Sequence, residues 1–258
     1  MKEKTCIYFV SDLHLGMHPV EESRRRELLF VRWLEKIRKD AWELWLLGDV
    51  FDYWFEHKKV VPRGFTRVLG KLAELSDEGV KIHFFTGNHD IWVFDYLPGE
   101  IGMEVHRKPL IREWNGRLFL LGHGDGLWGK DGGYRLLQGI FKNPVAQWCY
   151  ARLHPNGSAA FAQWWSKRSR MKKGLFIPFL GKDQEHQVQF ARKELERNPR
   201  IDFFIFGHRH IPYDIRIGEK SRVICLGDWI ENYTYAVFDG KTLQLKKFFE
   251  DRGEILRM

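Results

Sequence analysis

Cysteine is scarce in this 258-residue chain, which holds only Cys6, Cys149 and Cys225. They are odd in number, far apart and without metal-ligand spacing. That excludes a disulfide scaffold and a cysteine-based zinc site, and it points to free thiols in a reducing compartment. Long apolar runs are missing too. None approaches the roughly 18 residues of a membrane-spanning helix, although apolar residues make up 44% of the chain, enough for a full core. The start, Met1-Lys2-Glu3-Lys4-Thr5-Cys6, runs straight into a strand-like stretch and does not read as a signal peptide. No internal repeat is visible. The most informative absence is of acidic residues, since none lies between Gly132 and Lys182. The same stretch holds nine basic residues, Arg135, Lys142, Arg152, Lys167, Arg168, Arg170, Lys172, Lys173 and Lys182. Taking those nine from the 42 Lys and Arg leaves 33, against 34 Asp and Glu. The net charge of +8 therefore resides in one segment. A basic patch of this kind suggests a phosphate-bearing partner, whether nucleic acid, an anionic membrane surface or an anionic small substrate.

What is present alternates in type. Thr5 to Val10 reads as a strand, and Glu21 to Lys39 as an amphipathic helix burying Leu28, Val31, Leu34 and Ile37. Glu43 to Leu47 is a second strand, Phe65 to Glu78 a helix closed by Gly79, and Lys81 to Thr86 a third strand. This order predicts βαβ units and a partly parallel sheet. Pro109 to Glu113 and Arg117 to Leu121 flank Asn115-Gly116, a hairpin signal. Gln184 to Asn198 reads as a helix and Asp202 to Phe206 as a strand. From Tyr213 to Phe249, strand-like runs alternate with turns at Gly218-Glu219, Gly227-Asp228 and Asp239-Gly240, which predicts an antiparallel layer. The fold class is α/β, with two sheets packed face to face and helices outside.

Five clusters follow apolar strand-like runs: Asp12-Leu13-His14, Gly48-Asp49-Val50-Phe51-Asp52, Gly87-Asn88-His89-Asp90, Gly122-His123-Gly124-Asp125 and Gly207-His208-Arg209-His210. Carboxyl ends of strands are where open α/β sheets bind ligands. Any one of these histidines alone reads as structural. Seven ligand-type residues all at strand ends, Asp12, His14, Asp49, Asn88, His123, His208 and His210, read instead as a metal site. Oxygen donors mixed with imidazoles suit Mn, Fe, Co or Zn rather than calcium. Two such ions supply an activated water and neutralise phosphoryl charge, with a carboxylate bridging them through its two oxygens. His89 follows a ligand and is placed to face a substrate oxygen, and Asp52 is placed to orient it. Asp90 and Asp125 read as acceptors for loop N–H groups. His18 and His57 fit no ligand position.

Spacing marks one more feature. Asp12 to Asp49, Asp49 to Asn88 and Asn88 to His123 each span between 35 and 40 residues, whereas His123 to His208 spans 85. The excess lies in residues 128–182, a basic segment containing Tyr134, Phe141, Trp148, Tyr150, Phe161, Trp164 and Trp165. It reads as a helical cap inserted into a core made of residues 1–127 and 183–258, and its aromatics serve either as the cap's own core or as lipid contacts.

Asp-x-His, Gly-Asp-x-x-Asp, Gly-Asn-His-Asp, Gly-His and Gly-His-x-His, intact and in this order from Asp12 to His210, resemble the calcineurin-like metallophosphoesterases. The resemblance implies a two-sheet β-sandwich flanked by helices and two divalent ions. One ion would be held by Asp12, His14, Asp49 and His210. The other would be held by Asp49, Asn88, His123 and His208, with Asp49 bridging. His89 matches the family's catalytic histidine, supported by Asp52.

Within that family, Asp125, Gly132-Gly133-Tyr134 and the basic aromatic cap resemble the members that cleave the diphosphate of UDP-2,3-diacylglucosamine in lipid A biosynthesis of Gram-negative bacteria. That likeness implies attack of water at the α phosphorus, release of UMP and 2,3-diacylglucosamine 1-phosphate, and a preference for Mn²⁺. Better-known members often carry Arg where this chain has His89. Asn88, Asp131, Tyr134, Arg168 and Arg170 are the substrate-contact candidates. The implied partners are a lipid-linked UDP-sugar and an anionic membrane surface, with a cytoplasmic location at the inner face of the inner membrane. Nucleic acid is disfavoured, and no obligate protein partner is expected. Two other readings stay open: a related phosphoesterase acting on another phosphodiester or nucleotide diphosphate, and a non-catalytic scaffold, which the intact ligand set disfavours.

Overall fold

The computed structural model describes residues 4–127, 132–173 and 178–249. Three strands, β1 (Cys6–Val10), β2 (Ala41–Leu46) and β3 (Lys81–Phe85), alternate with helices α1 (Val20–Ile37) and α2 (Thr66–Asp77). After α3 (Tyr96–Ile101) come β4 (Glu104–His106) and the hairpin of β5 (Leu110–Trp114) and β6 (Arg117–Leu121). Three helices follow, α4 (Gly132–Lys142), α5 (Pro144–Tyr150) and α6 (Pro155–Lys173), and then α7 (His186–Arg197). The chain closes with β7 (Ile201–Phe206), β8 (Pro212–Ile217), β9 (Ser221–Leu226), β10 (Thr234–Phe238) and β11 (Leu243–Lys247).

These strands form two mixed sheets. The first has the order β11-β10-β1-β2-β3-β4 and the second β5-β6-β7-β9-β8. β1 through β4 are mutually parallel, as are β6, β7 and β9. Strand periodicity assigns the layers. Ile7, Phe9, Trp45, Phe85, Phe119, Leu121, Phe203, Ile205, Ile224 and Phe238 meet between the sheets. Their neighbours Tyr8, Val10, Leu44, Leu46, Ile82 and Phe84 face outward onto α1 and α2. Phe204, Phe206, Val223 and Cys225 face outward onto α7. Every core strand is thus buried on both faces, as expected for parallel strands covered by helices. Phe119 is fully buried at the centre of the sheet interface and packs on Phe9, Trp114, Phe203 and Phe238. Phe119→Ala is expected to cost about 3–5 kcal/mol, read as a lower denaturant midpoint.

Two expectations need correcting. On α1 the buried stripe is Leu29, Phe30, Trp33, Leu34 and Ile37, while Leu28 is 40% exposed. Phe30 and Trp33 set the rotation of the helix because both rings pack against Trp229. The tail is not one antiparallel layer. β8 pairs with β9 in the second sheet, and β10 with β11 in the first. The chain changes sheets between β9 and β10, so Gly227-Asp228 is a crossover and not a hairpin turn.

Asn143-Pro144 separates α4 from α5, and Asn143 accepts the N–H groups of Val145 and Ala146 at the start of α5. Phe141 and Tyr150 dock this helical segment onto Trp92, and Tyr150 also packs on Phe55. Tyr150 Oη lies 3.2 Å from Tyr53 Oη. Trp148, Phe161, Trp164 and Trp165 are instead about half exposed or more. The aromatics of this segment therefore divide into a docking set and an exposed set. Of the cysteines, Cys225 is buried in β9 and Cys149 is exposed on α5.

Candidate metal centre

Six parallel strand ends supply the site. β1 delivers Asp12 and His14, β2 delivers Asp49, and β3 delivers Asn88 and His89. From the second sheet, β6 delivers His123, β7 delivers His208 and His210, and β9 delivers Asp228. The loops are laced together by their backbones. Asp12 and His14 donate to Gly48 and Asp49 carbonyls at 3.0 Å, Gly207 donates to the His123 carbonyl at 2.9 Å, and Trp229 donates to the Asp12 carbonyl at 3.1 Å.

The backbone at the site is strained in a consistent way. Among the described residues eight non-glycine residues have left-handed φ, and five of them are Asp12, His14, Asp49, His208 and His210. Such conformations cost free energy and cluster at functional sites. Two glycines allow the close approach. A Cβ on Gly87 would overlap the Asp49 carboxylate, and one on Gly207 would overlap that of Asp12.

The seven expected ligands come together as two groups sharing one atom. His14 Nε2 lies 3.9 Å from Asp12 Oδ1, 3.8 Å from Asp49 Oδ2 and 3.3 Å from His210 Nε2. His210 Nε2 is 3.4 Å from Asp12 Oδ1. In the second group, His123 Nε2 lies 3.3 Å from Asp49 Oδ2 and 3.4 Å from Asn88 Oδ1. His208 joins it, with its ring 5.1 Å from that of His123. Donors bound about 2.0–2.1 Å from one ion lie roughly 3.0–4.2 Å apart, so both groups have the dimensions of a coordination sphere. Asp49 approaches both groups through Oδ2, and its Oδ1 accepts the His89 N–H at 2.8 Å.

Hydrogen bonding sets the tautomers. His123 Nδ1 donates to the Leu47 carbonyl at 2.8 Å, His14 Nδ1 faces Asp52 Oδ1 at 3.3 Å, and His210 Nδ1 faces Asp228 Oδ2 at 3.4 Å. For His123 and His14 the partner is an acceptor, so the proton sits on Nδ1 and the Nε2 lone pair points into the cluster, the usual state of a metal-binding histidine; His210 Nδ1 and Asp228 Oδ2 face each other without a hydrogen bond. Burial lowers the pKa of His14, despite Asp52, and takes His208 down to about 4 with help from His123. Burial opposes protonation of His210 and His123 as well, but neighbouring carboxylates hold both up. Asp49 stays well below the usual carboxylate range because His123, His89 and His14 outweigh its burial.

Charge gives a further test of fit. Asp12, Asp49, Asp52, Asp90 and Asp228 are all buried in this one cluster. Asp12 Oδ1 has no hydrogen-bond donor. A group of carboxylates this deep is costly without cations between them, and the donor set suits borderline divalent ions.

Asp228 is a residue the sequence reading missed, taking it for a turn. Its Oδ1 accepts the N–H groups of Ile230, Glu231 and Asn232, leaving Oδ2 for His210. The signal was present, since Gly227-Asp228 follows an apolar strand as the other clusters do. Asp228→Asn keeps the shape and the N–H acceptor but loses the charge. It is expected to weaken the ion on the Asp12–His14–His210 side by about 10–100-fold, measured by Mn²⁺ titration. Unchanged affinity would remove Asp228 from the site.

The remaining candidates fall as follows. Asp90 accepts N–H groups from Gly87, Val50, Asp49 and Phe51, as expected, and burial beside Asp49 pushes its carboxyl up to about 7. Asp125 takes the side-chain amide of Gln138 and so ties α4 to the β6 loop. His89 Nδ1 lies 3.1 Å from the Asp52 carbonyl oxygen and 3.7 Å from Asp52 Oδ1. Asp52 thus meets His89 mainly through its backbone, while its carboxylate serves His14. Ser166 Oγ on α6 lies 3.4 Å from His89 Nδ1. Arg168 is exposed over the Trp164 ring at 5.6 Å. Tyr134 and Arg170 lie on α4 and α6, and Asp131 falls outside the described residues. His18 is exposed, and His57 is partly buried beside Phe55.

A protein of Porphyromonas gingivalis described as a UDP-2,3-diacylglucosamine hydrolase is 44% identical over 256 residues, covering 94% of this chain and 97% of that one. Proteins of the same description from Azotobacter vinelandii and Stenotrophomonas maltophilia are 28% and 30% identical, covering 93% and 86% of this chain and 97% and 90% of theirs. The model of the calcineurin-like phosphoesterase family matches residues 6–212, a span that contains all five motif blocks and every ligand of the cluster; the chain belongs to that family.

Proposed function

We propose that this chain hydrolyses the diphosphate of UDP-2,3-diacylglucosamine, releasing UMP and 2,3-diacylglucosamine 1-phosphate. The observation that carries the reading is the placement of α6. Its Ser166 reaches His89 at the edge of the ligand cluster, while Phe161, Trp164 and Trp165 on the same helix stand exposed. A phosphoryl-transfer centre and an apolar, cationic surface are thus adjacent, which suits a substrate that is a nucleotide diphosphate at one end and a lipid at the other. The 44% identity to a protein described as acting on this substrate supports the same choice.

In this reading residues 128–182 are a cap on a core of residues 1–127 and 183–258. Asp12, His14, Asp49 and His210 hold one ion, and Asp49, Asn88, His123 and His208 the other, with Mn²⁺ preferred. Bound by these residues, two divalent ions would supply an activated water and offset charge on the phosphoryl group. His89, whose Nδ1 proton is engaged by the Asp52 carbonyl, exchanges protons at Nε2 and serves the phosphoryl or leaving oxygen. Asn88, Asp131, Tyr134, Arg168 and Arg170 contact substrate. Trp148 carries the Arg152 guanidinium over its ring at 3.8 Å, and Trp164 carries that of Arg168. Such pairs suit the anionic cytoplasmic face of the inner membrane. A shallow groove of 310 Å³ between α4 and α5, lined by Leu136, Gly139, Ile140 and Ala146, extends the apolar surface. No described helix is long and apolar enough to cross a membrane.

The test follows UMP release with Mn²⁺ from UDP-2,3-diacylglucosamine, from unacylated UDP-N-acetylglucosamine and from a simple phosphodiester. The expected result is rapid turnover of the acylated substrate alone. Turnover of only the simple ester would keep the metal centre and discard the substrate.

A further inference from the structure

A second cluster of metal-binding side chains lies away from the strand ends, on the edge of the first sheet. The parallel register of β3 and β4 pairs His83 with Glu104 and Phe85 with His106, which puts His83, Glu104 and His106 on one face. His83 Nδ1 lies 3.1 Å from His106 Nε2 and 3.2 Å from Glu104 Oε2, and His106 Nε2 lies 3.7 Å from Glu104 Oε1. Four donors set tetrahedrally about 2.0–2.1 Å from a zinc ion lie about 3.3–3.4 Å from one another; the two nitrogens are close to that separation, and each has one oxygen of the Glu104 carboxylate within 3.2–3.7 Å. The fourth position opens to solvent on the side of Glu104, which is exposed.

The surroundings favour donors over a plain hydrogen-bonded pair. His83 stacks flat on Trp45 with ring centroids 3.8 Å apart, and His106 lies nearly parallel to the same ring at 5.4 Å. Behind them Glu43 is buried and accepts the indole N–H groups of Trp45 and Trp114. Its Oε2 also lies 3.7 Å from His83 Nε2. A carboxylate behind the far nitrogen is the usual way to orient a metal-binding histidine and to free its other lone pair. Arg112 competes for Glu104 only at 3.5 Å.

We propose that His83, Glu104 and His106 form a third divalent-metal site, one that takes Zn²⁺ and ties the three-residue edge strand β4 to β3. No residue of this site belongs to the catalytic cluster, and the inference stands whichever phosphoester is hydrolysed.

The test is zinc stoichiometry of the full chain at saturation, with Zn²⁺ as the probe. The wild type is expected to bind three equivalents and His106→Ala two. Asp49→Ala is expected to keep this one Zn²⁺ after the catalytic pair is lost. Glu104→Gln, which keeps the size of an exposed side chain, is expected to weaken the third equivalent by about 10–100-fold. His106→Ala is expected to retain wild-type turnover with Mn²⁺, which shows that it folds and that the site is separate. Saturation of the wild type at two equivalents, or a third equivalent unaffected by both variants, would overturn the proposal and leave the two histidines as a hydrogen-bonded pair.

Discussion

Asp49→Ala is expected to lose both metal ions and phosphoesterase turnover together. One atom explains the joint loss. Asp49 Oδ2 lies 3.8 Å from His14 Nε2 and 3.3 Å from His123 Nε2, so it belongs to both donor groups. Removing any other ligand leaves one group intact, whereas removing this one opens both. Asp49 Oδ1 also fixes the His89 backbone through its N–H, so the substitution loosens the β3 loop as well. Removing a single charge-stabilising donor from an active site costs about 10²–10³-fold in kcat. Loss of the bridging carboxylate should exceed that. The measurements are Mn²⁺ content after desalting and the rate of UMP release, with far-ultraviolet circular dichroism as a control for folding. Retained turnover would sink the shared-ligand arrangement.

His89→Ala is expected to separate from Asp49→Ala in a defined way, keeping the metal and losing the rate. His89 sits at the rim of the cluster, its ring 4.8 Å from that of His14, and its Nδ1 is engaged by the Asp52 carbonyl and approached by Ser166. A carbonyl can only accept, so the proton resides on Nδ1 and the reactive nitrogen is Nε2. General acid–base or hydrogen-bonding assistance from such a group contributes about 10²–10⁴-fold. That loss is expected in kcat, with KM moved little and Mn²⁺ affinity within a few-fold of wild type. His89 also lies within ligand distance of His14 and Asp49. Loss of metal along with rate would therefore make it a ligand, and an unchanged rate would remove it from the reaction.

Much of this was legible in the chain because the catalytic end of the fold is built from local signals. β2, β3, β6, β7 and β9 are short apolar runs that each end at a glycine followed by a polar site residue, and β1 ends at Ser11-Asp12. Gly87 and Gly207 are glycine because the Asp49 and Asp12 carboxylates occupy the space of a Cβ. What could not be read depends on long-range packing. The rotation of α1 by one position comes from Trp229, 196 residues beyond Trp33 in the chain and absent from any local pattern. The split of the tail between two sheets turns on whether Gly227-Asp228 is a turn or a crossover, and both have the same residues. Asp228 was overlooked for that reason. Asp52 was placed beside His89 by its spacing from Asp49, yet its carboxylate is the partner of His14, a choice set by side-chain direction and not by sequence distance. The His83–Glu104–His106 group was invisible because it arises only when β4 takes its register on β3.

The most direct measurement is an anomalous-difference map at the manganese edge from crystals of the Mn²⁺-loaded protein. The arrangement of the donors predicts two peaks at the strand ends, about 3.5–4 Å apart, both in contact with Asp49 Oδ2. One peak adjoins Asp12, His14 and His210, and the other adjoins Asn88, His123 and His208. A single peak there, or two peaks that share no residue, would contradict a two-ion centre bridged by Asp49.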